Sequence, residues 1–465
     1  MGFARWVDRA GCDSVYLTEW QRTRAPDVDL ARSSRFSDST QLRTLGTWLD
    51  VHRAMALDTA LDTALDTALE AAHTMTALRS RMRTRVEGVL LGTALGDALG
   101  LPHEGLSRTK VLRRYRGADR FQLFGRRGFV SDDTEQSALV AQTLCASEAS
   151  AHALRAEAVH AEAVHAEAIE KEAIEKEAMH RAPRPTGARL TDAEYASDAA
   201  RRFRRGMGGW FLRLPFGIGF GTLRACLRIL LGFRRTGVGS AGNGAMMRAA
   251  IIGAVFPDEP ERRRSVGRAI ATTTHTDERA VQGALFVAEL AARAVVSPPT
   301  AARRPMVREA RAVVRDAETI DAIDSALRIA DQTGSPYELL EEAAATLGNS
   351  GFAVHSVGLS TFLFLRFGST PLECIDAAVR AGGDTDSIAA IVGAWTGGLH
   401  GVGALPEGLL SVLDDGPFGP SHLRALAHAL VEGAEAPQYS WPWAMLRNLA
   451  LFPVVIGNGI VRMVR

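Results

Sequence analysis

Between Arg85 and Gly100 the chain reads RVEGVLLGTALGDALG, with glycine at 88, 92, 96 and 100. Four residues turn an α-helix by about 400°, so positions four apart stay near one face. Each glycine inside a helix costs about 1 kcal/mol against alanine. Four of them on one face make sense as a smooth ridge onto which a neighbour's backbone can close. The spacing predicts a helix over residues 85–100 that ends near Leu101–Pro102 and leaves His103 and Glu104 just beyond it.

The rest of the chain repeats this theme. Residues 128–146 read as a loop feeding a helix, with Ser131 or Asp132 as N-cap and Asp132 with Glu135 in a loose capping box. Helical spacing recurs over 272–296, 301–330, 337–347, 352–367, 371–381 and 387–398, and continuous strand patterns are scarce. The expected fold class is all-α, a compact multi-helix bundle. Residues 1–80 read as an N-terminal extension that includes a threefold LDTA repeat, Leu57–Ala68. Residues 81–435 form the expected main domain, and 436–465 an apolar tail. A low-complexity insertion at about 147–190 interrupts the domain. Its core, Ala156–His180, repeats every five residues. Five residues turn a helix by about 500°, so no apolar stripe forms there, and His160, His165 and His180 share no metal-binding face.

Composition excludes some classes. Lys+Arg 54 against Asp+Glu 53 leaves a net charge of +1, which argues against a general nucleic-acid binder. Cys12, Cys145, Cys226 and Cys374 are scattered without a CxxC, as in a reducing cytoplasm. The first residues lack the apolar core of a signal peptide. No membrane span is expected: Leu449–Val461 is too short and is broken by Pro453, Gly457 and Asn458. Charge is nevertheless uneven. Between Asp198 and Asp258 there is no acidic residue but there are ten arginines, which make either a local basic face that could attract a polyanion or a solvated surface paired with acids elsewhere.

Chemistry concentrates in two acidic clusters, SDDTE at 131–135 and GGDTDS at 382–387. Alone, either is an ordinary helix start. Together they share a design: paired carboxylates and a hydroxyl heading a small-residue apolar helix. Two carboxylates 4 Å apart repel by about 4 kcal/mol at an effective dielectric of 20. Gathering four or five requires protons or cations, and oxygen-only ligands favour Mg²⁺ or Mn²⁺ over Zn²⁺. A glycine-rich loop, GVGSAGNGAMMR at 237–248, could bring backbone N–H groups to an anion or could be a tight turn into a helix.

Five blocks in order, GTALGDALGLPHE, FVSDDTEQSAL, GSAGNGAMMRAA, THTDERAVQGAL and AGGDTDSIAAIVGAWTGGLHG, resemble the ADP-ribosylglycohydrolase family over roughly residues 83–410. That family includes enzymes that remove ADP-ribose from dinitrogenase reductase and from modified arginine or serine. The resemblance implies an all-α fold with a dinuclear site for two Mg²⁺ or Mn²⁺ ions. Ser131, Asp132 and Asp133 would form one side of that site, and Asp384, Asp386 and Ser387 the other. Serine stands at 131 and 387 where the family often has threonine; the hydroxyl oxygen is kept. Glu104 matches a metal-linked glutamate, and Glu104 or Asp132 would handle the proton. Ser240, Gly242, Asn243 and Gly244 would hold ribose and diphosphate, with His275 lining the same pocket. Asp97 falls to helix packing, outside the site. The resemblance implies hydrolysis at C1″ of ADP-ribose by a monomer acting on an ADP-ribosylated protein or an ADP-ribose derivative. A non-catalytic ADP-ribose binder and a pyrophosphate-cleaving hydrolase are the competing readings.

Overall fold

The computed structural model describes residues 39–151 and 190–464. Among these the chain is helical, with isolated bridge pairs but no strand. Met1–Leu78 and Arg79–Arg465 form separate compact units. Of the first, the described part begins helix α1, Ser39–Gly100. The LDTA repeat lies in α1, and the shared face of Leu57, Leu61 and Leu65 falls outside the described side chains. The period-five repeat also lies outside the described residues. The second unit carries both acidic clusters and the glycine-rich loop.

The elements that place the site are the Arg79–Gly100 part of α1, α2 (residues 132–151), α3 (Asp192–Phe211), α4 (Glu278–Val296), α5 (Ala353–Phe367), α6 (Pro371–Ala381), α7 (Thr385–His400) and α8 (Trp441–Val464). α4 is buried along nearly its whole length and anchors the core. Trp395 of α7 donates its indole N–H to the Val287 carbonyl of α4 at 3.1 Å, and its ring meets Phe286 and Phe364 edge-on.

The glycine ridge packs as its spacing predicts. A Cβ on Gly88, Gly92 or Gly96 would lie 2.1 Å from the carbonyl oxygen of Gly397, Gly393 or Ala389, and one on Gly100 2.4 Å from that of Thr385. As one number rises by four the other falls by four, so α1 and α7 run antiparallel with backbones in contact. Thr385 closes the ladder with a 2.8 Å bond from Oγ1 to the Gly100 carbonyl. The end of α1 therefore arrives at the start of α7. Gly92→Ala should destabilise the protein by about 1–3 kcal/mol, as overpacked interiors do. Denaturant unfolding measures this, and an unchanged midpoint would contradict the contact.

Several boundaries differ from expectation. The helix expected over 85–100 extends back to Ser39, and the one expected over 272–296 begins at Glu278, after a separate helix Pro260–Thr272. α7 begins at Thr385, so Asp386 lies inside its first turn rather than before it. The 301–330 stretch is two helices, Arg303–Arg311 and Ala317–Ala330, because Asp316 caps the second through Thr319. The expected tail is a helix, α8, which runs through Pro453. Ala444, Asn448 and Leu451 of α8 are buried, one turn apart on a single face.

Candidate active site

The antiparallel ladder delivers Glu104 to the downstream acidic cluster. After Gly100, a short 3-10 turn over Leu101–His103 redirects the chain. Gly105 N–H then donates to Gly383 O at 2.7 Å, and Gly383 N–H to Leu106 O at 2.8 Å. Gly382 and Gly383 both have positive φ, +73° and +78°. A Cβ on Gly383 would sit 1.9 Å from the Asn349 carbonyl oxygen, so a side chain is excluded there. This turn sets Asp384 at the N-cap of α7 without using its carboxylate as a cap. One oxygen each from Glu104, Asp384 and Asp386 then lies within 4.8 Å of the others.

The upstream cluster joins from α2. Its expected capping box does not form, because its members are taken elsewhere. The acceptor at the start of α2 is Asp97 of α1, which is fully buried. Its carboxylate receives Ser131 N–H and Thr134 N–H at 2.8 and 3.2 Å, and Ser131 Oγ and Thr134 Oγ1 at 2.8 and 2.6 Å. Asp97 thus ties two helices together and holds the first turn of α2, which fits a packing role. With the cap supplied from outside, neither Asp132 nor Asp133 is used as the cap, and both carboxylates are buried. Asp132 accepts from Gln136 Nε2 at 3.0 Å, and Asp133 Oδ1 is buried without a partner.

The two clusters act on each other's carboxyls. Burial first, then Asp133, Asp97 and Glu104, push the Asp132 carboxyl well above the usual range. Burial, Asp97 and Asp384 do the same to Asp133; burial, Glu104, Asp384 and Asp133 to Asp386. Asp384 is raised by burial against the opposing bonds of Asp386, Asn243 and Ser387. Ser387 also favours the charged form of Asp133 across the two clusters. Asp97 is pushed up to about 6, chiefly by burial. So many buried carboxylates disfavour one another's charge, and an orphaned acceptor points among them. An all-oxygen donor set of this kind fits hard divalent cations.

The glycine loop lies against this cluster. Asn243 Nδ2 donates to Asp384 Oδ2 at 2.5 Å and to Ser356 Oγ at 2.9 Å. Ser240, Gly242 and Gly244 are half-buried beside it. His275 is 2% exposed and packs against the loop. Its Nδ1 pairs with Thr274 Oγ1 at 2.9 Å, and its ring packs where Cβ atoms on Gly221 or Gly244 would be. Burial, then Arg248 and Arg224, lower its pKa to about 3, so it is a neutral support.

Sequence reasoning missed the hub of this region. Arg248 is buried and donates to the Gly244 carbonyl and, at 2.6 Å, to Gln136 Oε1, whose amide holds Asp132. It therefore links the loop to the acidic cluster. Its signal was its place at the end of the GNGAMMR block.

The sequence profile described as ADP-ribosylglycohydrolase matches residues 78–439. The chain belongs to the ADP-ribosylglycohydrolase family. An uncharacterized protein of Archaeoglobus fulgidus is 33% identical over 237 residues, 50% of this chain and 72% of that protein. The uncharacterized protein YegU of Escherichia coli (strain K12) is 29% identical over 182 residues, 37% of this chain. The chain spans 54% of YegU. A solved structure described as an ADP-ribosylglycohydrolase-related protein complex has the same fold, with a TM-score of 0.50 and 22% identity, covering 76% of this chain and 99% of that one.

Helix α8 extends beyond the segment that the family profile matches, yet it reaches the acidic motif of this family member. Arg447 Nη1 donates to Glu135 Oε1 at 2.7 Å and Nη2 to the Val130 carbonyl at 3.0 Å. Trp210 Nε1 donates to the other Glu135 oxygen at 2.7 Å, with Arg213 at 3.8 Å. Glu135 is thus held in place three residues after Asp132. Arg447→Ala leaves that carboxylate buried, and the expected loss is about 3 kcal/mol in unfolding free energy. Isothermal titration with Mn²⁺ should also show affinity about tenfold weaker, as for a residue that orients ligands. Unchanged values in both would place α8 outside the site's support.

Proposed function

We propose that this protein hydrolyses the glycosidic bond at C1″ of ADP-ribose, releasing ADP-ribose from a modified protein or small molecule. The observation that carries this is the meeting of Glu104, Asp384 and Asp386 beside Asp132 and Asp133, with Asn243 tying the glycine loop to Asp384. Residues 81–435 are the catalytic domain in this reading. Ser131, Asp132 and Asp133 with Asp384, Asp386 and Ser387 would hold two Mg²⁺ or Mn²⁺ ions, which would supply positive charge toward the distal ribose hydroxyls and toward the attacking water.

The chain's own residues do the rest. The loop Ser240–Gly244 holds ribose and diphosphate through its backbone, kept in place by Asn243, Arg248 and the neutral His275 packed against it. The water oxygen bonds to C1″ as the bond from C1″ to the acceptor nitrogen or oxygen breaks. Glu104 or Asp132 takes the water's proton and returns it to the departing acceptor, so one water is consumed and the base is restored. The carboxylates favour positive charge that develops at C1″. The buried free thiols Cys145, Cys226 and Cys374 accord with a cytoplasmic protein.

The test is release of free ADP-ribose from a panel of arginine-, serine- and ester-linked substrates, with Mg²⁺ and with EDTA. Metal-dependent release is the expected result, and the best substrate names the linkage. Tight ADP-ribose binding with no release from any substrate would make the protein a binder. Release of AMP and ribose phosphate would make it a pyrophosphate hydrolase.

A further inference from the structure

The acid-free, arginine-rich stretch carries a surface that the active site does not use. The helix Phe220–Leu230 buries Ala225 and Cys226 and turns Leu227 and Leu230 outward. At its end, Gly232 at φ +75° makes a tight turn that projects Leu231 and Phe233, 74% and 53% exposed. Arg228, Arg234 and Arg235 flank this tip in the chain and are exposed; Arg228 donates to the Gly237 carbonyl at 2.7 Å, and none of the three forms an ion pair with a carboxylate among the described residues.

A second apolar face lies next to it. α8 buries Ala444 and Leu451 but leaves Trp443, Leu446 and Leu449 about half exposed, so the helix is apolar on both sides. Such a helix has a second partner surface. The two faces are joined through α3: Trp441 Nε1 donates to the Gly209 carbonyl at 3.0 Å, and the adjoining Gly208 lies against Ile229 and Leu230.

We propose that this joined face docks on an anionic lipid surface. Exposed leucine, phenylalanine and tryptophan flanked by arginines match a bilayer interface, where apolar groups enter the acyl boundary and guanidiniums meet phosphates. Charge complementarity selects this occupant. A second copy would bring arginine tip against arginine tip in a two-fold contact. Among the described residues no helix is long and apolar enough to cross a membrane, so the attachment lies on the surface. The same segment carries Gly217 against Asp132 and Gly221 against Ser240, so docking would hold the candidate site close to the lipid.

The experiment is co-sedimentation of the full chain with vesicles of equal parts phosphatidylcholine and phosphatidylglycerol, and with phosphatidylcholine alone. The expected partition is about tenfold stronger on the anionic vesicles. Leu231→Asp with Phe233→Asp should lower it by about tenfold or more. Arg234→Gln with Arg235→Gln should remove most of the preference for anionic lipid while keeping the apolar tip. All four positions are exposed, and an unchanged melting temperature verifies folding; if one pair misfolds, the other decides. Equal partition on both vesicles, none on either, or partition indifferent to both pairs overturns the proposal. So does a lipid-free dimer that Leu231→Asp abolishes in a chain that binds no vesicle.

Discussion

Asp386→Asn will lower ADP-ribose release by about a thousandfold, the scale of losing one preorganised charge at a reacting centre. Asp386 is buried at the first turn of α7, and its oxygen lies within 4.8 Å of those of Glu104 and Asp384. Asparagine keeps the shape but removes the negative charge that a divalent cation needs. Burial first, then repulsion from Glu104, Asp384 and Asp133, disfavours the charged form of this carboxyl, and asparagine carries no charge to bury. The metal-free variant should therefore melt higher than the parent, as when an active site is held at a cost in stability. Turnover and melting temperature measured on one preparation check both halves. Retained activity would remove the cluster from the mechanism. A lower melting temperature in EDTA would show that the group is structural instead.

The second large effect is a reversal of pH dependence by metal. Without metal, Asp132, Asp133, Asp384 and Asp386 are all raised by burial, and Asp97 is pushed up to about 6. Their unfolded values lie near 4. Between these values the folded protein binds more protons than the unfolded chain, so its stability falls as pH rises. The contribution is complete below about pH 4 and is lost as pH climbs through the folded values. Mg²⁺ binds the ionised form and opposes this. At a hundredfold excess over its dissociation constant, each ion adds about 2.7 kcal/mol, so two add about 5 kcal/mol. Melting curves from pH 4 to 8 in EDTA and in Mg²⁺ measure the effect. A melting temperature that rises with pH in EDTA, or that ignores Mg²⁺ near neutral pH, would contradict the assignment.

Much of the candidate site was legible because two acidic clusters of one design recur in the chain, although either alone would pass for an ordinary helix start. Asp132, Asp133, Asp384 and Asp386 stand as close pairs at helix starts, where repulsion makes them costly without a partner cation. The glycine ladder announced a backbone contact, and its four-residue stride is a local property of one helix. His275 was visible only by resemblance, and its burial against the loop was not, since a histidine open to a pocket and a buried one look alike in sequence. Arg248 and Arg447 were hidden for another reason. In a chain with this many arginines, several of them buried, nothing local marks which ones reach the site.

The sequence by itself determined the all-α class, the ridge over Gly88–Gly100 and the two acidic motifs, because helical periodicity and short-range charge repulsion act within a few residues. Only the tertiary structure decided which face met which. The antiparallel register of Gly88–Gly100 on Thr385–Gly397 carries Glu104 to Asp384 and Asp386, and Asp97 takes over the cap that would have tied down Asp132. It also decided that the terminal residues form a helix whose Arg447 reaches Glu135. These outcomes depend on contacts between residues up to about three hundred positions apart in the chain. Packing chooses among such pairings by how closely backbones approach and by how many buried polar groups find partners, and neither quantity exists until the helices are assembled.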